Sequence, residues 1–554
     1  MSKLKSEKNR FKISSFYELI KKISVSRLLF STVFSIAFFY MSKVVFLGFT
    51  FNENYMEKFY FSDYRILLIW IPITYLVLYL IEKYYNKAIA YVVGFDNSRY
   101  IKKFCIYSFI LMFGIYLLYF LTFYPGGVYT DTWVSLQMLT GETEMTLQQP
   151  VLYTLMLNIV KVFIPDYYTG FAVFTAIQVI AMISILTYFI YWLLKKGLNP
   201  IMAFFITFFF MFFKLYPLYS VSVWKDTPFS LVLFLFTLSI IDHIFEFNEN
   251  KIKISSIVKI NILSILLVFL RNNGLYIIVF TVFVLSICFI KKIIKEKVEN
   301  FKGFLISIIT TIVICIIIEH VLVFAGFQKV SKIESLAIPI QQVSRVVAVG
   351  GNITESQKEL IEKVMPEERI KERYRALLVD KIKWDDDYFD KEYLLDNYST
   401  YFKLWLELLV QNPDEYFIAY LLETSGFWTF NVVGQEAYHS AVTWETLEDI
   451  IMNINVIADN TNFDFRESML NVAYYSGGFF FWITALSAFL TYRLCEKKYL
   501  IGYIAPISLW LTVMIATPMG QALRYVYILV LILPLNLLYP ALMKKLPKKI
   551  ESKK

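Results

Sequence analysis

The chain has 554 residues, of which 58% are hydrophobic and 18% aromatic, and its mean hydropathy is +0.56. Soluble domains keep their apolar share near roughly half, so this composition excludes a soluble globular protein and marks an integral membrane protein. The net charge of +9 is no nucleic-acid signature, because the loops account for it. Cys105, Cys288, Cys315 and Cys495 all fall in or beside apolar segments without paired spacing, which argues against a disulfide framework or a thiolate metal site. With only three histidines, His243, His320 and His439, chemistry built on His clusters is hard to stage.

In chain order, residues 1–23 ("MSKLKSEKNRFKISS" onward) are a basic N-terminus. They are too polar, and the apolar run after them too long, for a cleaved signal peptide, so the first helix reads as a retained anchor. Taking about 20 apolar residues per crossing, or about 17 where the bilayer thins, the spans predicted are 24–48, 65–83, 104–124, 170–194, 199–215, 227–246, 256–271, 275–290, 303–326, 473–494, 499–517 and 523–541. The short run 151–164, after Gln148-Gln149-Pro150, reads as an interfacial helix. Loop charge supports that choice. With 151–164 lying flat, "NSRYIKK", "KKGLNP", "NENKIKISSIVK", "KKIIKEKVENFK", "RLCEKK" and the basic tail 542–554 all fall on the cytoplasmic side with both termini. Were it to span, Lys195 and Lys196 would move outside.

Residues 327–472 hold 14 Lys and Arg against 25 Asp and Glu, a net of −11 that leaves +20 on the rest. An acidic extracytoplasmic domain is therefore expected on a basic-inside body. Its "EERIKERYRALL", "LDNYSTYFKLWLELLVQNPDEYFIAYLL" and "WETLEDIIMNI" segments have 3.6-residue apolar spacing, which predicts short helices. The expected fold is an all-α integral membrane protein of about 12 transmembrane helices, with a mainly helical outer domain inserted before the last three (473–541). The transmembrane region 24–326 carries an outer loop at 125–169.

Charged and amide side chains gather where apolar runs end. Asp131 follows the third span in "FYPGGVYTDTW", "SVSVWKDTPFS" brings Lys225 and Asp226, "LRNNGLY" Arg271, "IPIQQVSR" Gln342 and Arg345, and "TPMGQALRY" Arg524. All are predicted on one face, and ionisable groups at membrane depth usually mark a pathway or site. Plainer readings stand beside this one. Asp131 reads also as a helix cap, Lys225 and Asp226 as a pair or a cap ahead of Pro228, and Arg271 and Arg524 as snorkelling anchors. Glu319-His320 reads as a buried polar pair or as groove lining. "WDDDYFD" (384–390) lacks the glycine and terminal Glu of a calcium loop, so it reads as a solvated acidic face.

Asp131 in the first sizeable outer loop, then "TLQQPVLYTLML" and a span ending in Lys-Lys, resembles the GT-C superfamily of polyprenyl-phosphate-sugar-dependent glycosyltransferases. There a catalytic carboxylate in that loop precedes a "His-Pro-Pro-Leu"-like helix; here the stretch reads Gln149-Pro150-Val151-Leu152, without the His. "YPG…D", "WKD", "RNNGLY", "QQVSR" and "RYVY" are also similar, in shared order across most of 104–541, to a largely uncharacterised bacterial multi-pass family near that superfamily. The resemblance implies a bacterial plasma-membrane enzyme moving a sugar from a polyprenyl-phosphate carrier to an extracytoplasmic glycan or lipid. It makes Asp131 the base, and Lys225, Arg271, Arg345 and Arg524 the phosphate-binding candidates. Tyr129, Trp133, Asp226, Asn273, Gln342 and Tyr525 become candidate substrate contacts. Some members use a divalent metal; the missing His leaves metal dependence open and weighs against a tightly held ion. A transporter or flippase for a lipid-linked saccharide would use the same anionic groove without a base. An acyltransferase would need His320, and a sensor would make the cluster incidental.

Overall fold

A computed structural model describes residues 24–45, 55–296, 298–430, 476–516 and 523–551. The basic N-terminus and the "WETLEDIIMNI" segment lie outside the described residues. Residues 24–45 with 56–89 form one compact unit, and the chain from Ala90 onward forms another.

The first unit holds α1 (Val25–Met41) and most of α2 (Leu67–Val92). The second begins its membrane body with α3 (Ile101–Thr122), the short α4 (Thr130–Thr140) and α5 (Val151–Met156). There follow α6 (Tyr167–Lys195), α7 (Pro200–Phe212), α8 (Asp226–Asn248), α9 (Ile254–Leu270), α10 (Gly274–Glu296) and α11 (Phe301–Phe324). A helical insert includes α12 (Ala337–Ala348), α13 (Tyr398–Gln411) and α14 (Pro413–Glu423), before α15 (Gly477–Leu494), α16 (Ile504–Ile515) and α17 (Leu533–Glu551) close the chain. Among the described residues the protein is all-α apart from two-residue strand pairs, and it is a multi-pass membrane protein. Seven helices among the described residues are long and apolar enough to cross a bilayer.

Helix limits follow the apolar runs because local caps fix them. The Asp166 side chain accepts from Thr169 N–H at the start of α6, Asn199 accepts from Ile201 N–H ahead of Pro200 in α7, and Ser476 accepts from Phe479 N–H before α15. Such caps satisfy amides that an isolated helix end leaves open. Two segments differ from expectation. The segment predicted as a span over 199–215 stops at Phe212, where Phe213 turns extended (ψ 97°), and continues as a short helix Leu215–Ser220. Thirteen helical residues reach about 20 Å at 1.5 Å each, short of a hydrocarbon core of about 30 Å. The 151–164 run folds as two short helices, Val151–Met156 and Asn158–Lys161, packed near the start of α6.

Within the second unit, burial separates inner from outer helices. The apolar window of α11 is only 17% buried, whereas that of α8 is 78% and that of Leu523–Lys545 is 94% buried. The last two are thus the axis of the body. The C-terminal one meets the broken helix 215–220 through aromatic pairing: Tyr219 stacks on Tyr527 at 3.9 Å, Tyr216 donates to the Val530 carbonyl at 2.7 Å, and Tyr527 donates back to the Leu215 carbonyl at 3.3 Å. In the insert, α12 packs on α13 and α14 around Ile340, Val343, Leu404, Leu408 and Tyr416. That is the helical architecture expected of this segment.

The turn after α3 fixes how the chain enters the next element. Gly126 has φ 128°, and a Cβ there would lie 2.2 Å from Thr175 Oγ1 and 3.1 Å from Val223. Both the backbone conformation and the lack of space require glycine. Gly126→Ala should lower stability by about 1–3 kcal/mol, read as a lower midpoint of thermal unfolding in detergent; an unchanged midpoint would show that the turn is not so confined.

Candidate functional site

Directly after Gly126, β1 (Gly127–Val128) pairs in parallel with β2 (Ser222–Val223), and Gly127 N–H donates to the Val221 carbonyl. Two residues of ladder are marginal alone, but buried side chains hold both strands. Gln178 of α6 donates to the carbonyls of Ser220 (2.9 Å) and Ser222 (2.8 Å), and Thr132 Oγ1 donates to the Val223 carbonyl at 2.6 Å while meeting the Tyr153 hydroxyl at 2.8 Å. The Tyr129 ring stacks on Trp224 at 4.2 Å, and its hydroxyl donates to Ser222. Consequently Asp131, on the first turn of α4, and Lys225, just ahead of α8, face each other.

Lys225 Nζ lies 3.2 Å from Asp131 Oδ2 and 3.1 Å from Gln149 Oε1. Arg524 reaches both acids, 3.6 Å from Asp131 and 3.9 Å from Asp226. Arg271, at the extended end of α9, sits 2.7 Å from Asp226, whose side chain has no exposed surface. The two guanidinium groups bracket one ring: Arg271 lies 4.7 Å and Arg524 5.2 Å from the Tyr525 centroid, and Arg524 also lies 5.3 Å from that of Trp224. Asn273 donates to Thr512 Oγ1 at 3.0 Å.

Asp131, Gln149, Lys225, Arg271, Asn273, Arg524 and Tyr525 line a cavity of about 480 Å³, within the roughly 300–1,000 Å³ typical of ligand pockets. Asp131 remains about a third exposed, at 32%, and opens into it. The Lys225 ammonium, with Arg524 beyond it and hydrogen bonds from Lys225 and Gln149, outweighs burial and holds the Asp131 carboxyl well below the usual carboxylate range. The acid is therefore ionised at every physiological pH while the cations stay in place.

The structure thus brings together Asp131, Lys225, Asp226, Arg271, Asn273, Arg524 and Tyr525. It does not bring in the others. Arg345 Nε is committed to Glu415 at 2.7 Å within the insert, so the expectation that it lines a phosphate site is corrected. Gln342 donates to the Tyr416 carbonyl and accepts from Trp405, which makes it a packing residue of α12. Trp133 packs on Tyr167 at 5.5 Å, and Tyr129 stands behind Trp224, so neither lines the cavity. Glu319 and His320 are both exposed and form no buried pair; His320 Nδ1 lies 2.8 Å from the Ile316 carbonyl of its own helix. In "WDDDYFD", Asp385 is buried and takes hydrogen bonds from Arg369 and Arg373, Asp386 pairs with Lys391, and Asp390 caps the next helix at Tyr393. The acidic run is a tied loop rather than a wholly solvated face.

Several lining residues have no counterpart among the candidates from sequence: Gln148, Asn272, Glu334, Asp380, Lys383 and Trp384. Glu334, Asp380 and Lys383 lie in a strongly charged segment where no single residue stands out, and Gln148, Asn272 and Trp384 lie in stretches whose neighbouring residues carried the signal. Among the described residues no group of three His, Cys, Asp or Glu stands close enough to hold a metal ion.

With this geometry in view, the relationship to other proteins can be stated. The model of a family of unknown function, DUF6020, matches residues 137–554. The chain belongs to that family. The DUF6020 match takes in Lys225, Asp226, Arg271 and Arg524 and begins just past Asp131. No curated protein and no solved structure matches the chain.

The buried carboxylate anchors the cluster. Asp226→Asn would leave Arg271 and Arg524 without their shared buried anion, a change that costs about 3–5 kcal/mol when one partner of a buried pair is lost. The expected result is a large fall in thermal midpoint in detergent, and a near-native midpoint would show that the pair carries little of the fold.

Proposed function

We propose that this protein is a glycosyltransferase of the bacterial plasma membrane, moving a sugar from a polyprenyl-phosphate carrier to an extracytoplasmic glycan or lipid. In this reading both termini are cytoplasmic, about twelve helices cross the bilayer, and the insert stands outside. The observation that carries the proposal is the meeting of a cavity-facing carboxylate, Asp131, with Lys225, Arg271 and Arg524 on one side of a single pocket. Their pairings leave one positive charge in excess of the two carboxylates, which suits a singly charged phosphate linkage. Arg and Lys at such a site bind phosphate oxygens directly.

The mechanism follows from competition for those cations. A carrier phosphate entering the pocket shares Lys225 and Arg524 with Asp131, which weakens their hold and raises the carboxylate's proton affinity. An acceptor hydroxyl within hydrogen-bond reach then gives its proton to Asp131 and attacks the anomeric carbon from the face opposite the leaving phosphate, inverting that centre. The bond from anomeric carbon to phosphate oxygen breaks, and the developing phosphate charge is met by Arg271 and Arg524. Contacts that strengthen as charge builds lower the barrier. The lipid-linked saccharide transporter has less support. The charged lining lies at the start of α4, just ahead of α8, at the end of α9, in the turn Leu523–Val526 and in the insert, and does not run along the helices as a passage would.

Asp131→Asn should reduce turnover by about 10²- to 10⁴-fold, the usual contribution of a general base, in a reconstituted assay with a panel of polyprenyl-phosphate sugars, while donor binding persists. Near-normal transfer by that variant would refute the base assignment. The acid limb of kcat/KM reports the free enzyme. Asp131 has a lowered pKa, so activity should hold down through the ordinary carboxylate range near ~4 and be lost only as pH falls below it. Lys225→Met removes the main cause of the lowering and should move that limb upward; a profile that does not move would exclude Asp131 as the titrating group.

A further inference from the structure

The cavity has a second wall that the transfer chemistry does not use. It comes from the insert: Glu334, from the 3-10 turn ahead of α12, with Asp380, Lys383 and Trp384. Lys383 is buried, bonded to Glu334 at 2.7 Å and Asp380 at 2.9 Å. Burial would lower its pKa, but the two carboxylates overcome this and raise it, so Lys383 is a fixed cation neutralising one of two acids. This wall carries one net negative charge, the opposite of the Lys225, Arg271 and Arg524 side. It repels a second anion.

Its chemistry favours one kind of ligand. Glu334 and Asp380 keep 25% and 32% of their side-chain surface exposed, and an ionised carboxylate accepts up to about four hydrogen bonds, so each has capacity left after binding Lys383. Trp384 is 40% exposed beside them, with Lys391 Nζ 4.1 Å from its ring centroid. Carboxylate acceptors next to the uncovered part of the indole suit a neutral, hydroxyl-rich ring, whose O–H groups donate while its C–H face covers apolar surface. An alkyl chain would leave the remaining acceptor positions of both carboxylates unfilled, which is costly. The wall is also wired to the reacting side. Gln148 Nε2 donates to Glu334 at 3.1 Å, and the next residue, Gln149, binds Lys225 opposite Asp131. Leu147 N–H donates to Gln328 O, and Asn272 donates to the Leu147 carbonyl, so the 146–150 segment is fixed between the two walls.

We propose that Glu334, Asp380 and Trp384 form an acceptor subsite for a neutral pyranoside, so that the acceptor is a glycan rather than a lipid alcohol or an anionic polymer. Naming the bound sugar the acceptor rests on the transferase reading; the saccharide site itself does not. The test uses the full-length protein in nanodiscs and saturation-transfer NMR with methyl glucoside, galactoside, mannoside and N-acetylglucosaminide, methyl glucuronide, and an alkylamine. At least one neutral pyranoside should bind, and the glucuronide should bind more weakly. Trp384→Ala and the milder Asp380→Asn should each weaken neutral binding by about 5- to 10-fold. Glu334→Gln should narrow the discrimination against the glucuronide. Absence of pyranoside binding, binding of the amine alone, or indifference to both Trp384→Ala and Asp380→Asn would each overturn the subsite. Binding without transfer would sink the enzymatic reading and leave the saccharide site standing. Transfer to a lipid alcohol with no pyranoside binding would do the reverse.

Discussion

Asp226 has no exposed side-chain surface and sits at the first turn of the most central helices, so its charge cannot stand alone. An isolated buried carboxylate costs several kcal/mol unless cations and dipoles answer it. Arg271 at the end of α9 and Arg524 at the head of the last helix supply that answer, which brings the ends of three separate helices to one point. The Tyr525 ring, bracketed by both guanidinium groups, and Trp224 under Arg524 fill the space between them. The remaining site residues follow from this anchor. Lys225 precedes Asp226 in sequence and so is delivered beside it, and the β1 to β2 pairing brings Asp131 across to Lys225.

The site consequently depends on backbone hydrogen bonding as much as on charge. Gln178, Thr132 and the Gly126 turn hold two short extended segments that no regular sheet would stabilise. Each uses a buried polar group to satisfy backbone carbonyls, the arrangement that a low-dielectric interior rewards when complete. The insert contributes through the Gln148 to Glu334 contact and the Gln328 bridge to the 145–147 segment. Its own packing, around Tyr416 and the α12 side chains, sets where Glu334 and Lys383 emerge.

Much of this was legible in the sequence, for a physical reason. A charge at the end of an apolar run is conspicuous because the bilayer tolerates so few, and Asp131, Lys225, Asp226, Arg271 and Arg524 all stand at such ends. Arg345 and Gln342 failed the same reasoning. They belong to an amphipathic helix inside the insert, where a polar face can be satisfied by Glu415, Tyr416 and Trp405, so proximity to an apolar run carries no information about a cavity. Trp384, Asp380 and Lys383 were obscured for the converse reason: within a strongly charged segment, one aromatic and one buried lysine do not stand out, and only tertiary contact reveals which acids they neutralise. The 151–164 run divides into two short helices and the 199–215 run breaks at Phe213, because an apolar sequence does not by itself fix helical continuity.

The ion pairs also carry an order of assembly. Asp131 with Lys225, and Asp226 with Arg271, are matched within the first half of the chain, so a nascent protein lacking its last helices already has each acid partnered. Arg524, from the C-terminal part of the chain, joins both acids at longer range, 3.6 and 3.9 Å. The surplus cation of the pocket is therefore supplied across the longest separation in sequence, and the chamber's attraction for anions depends on that one distant contact being closed.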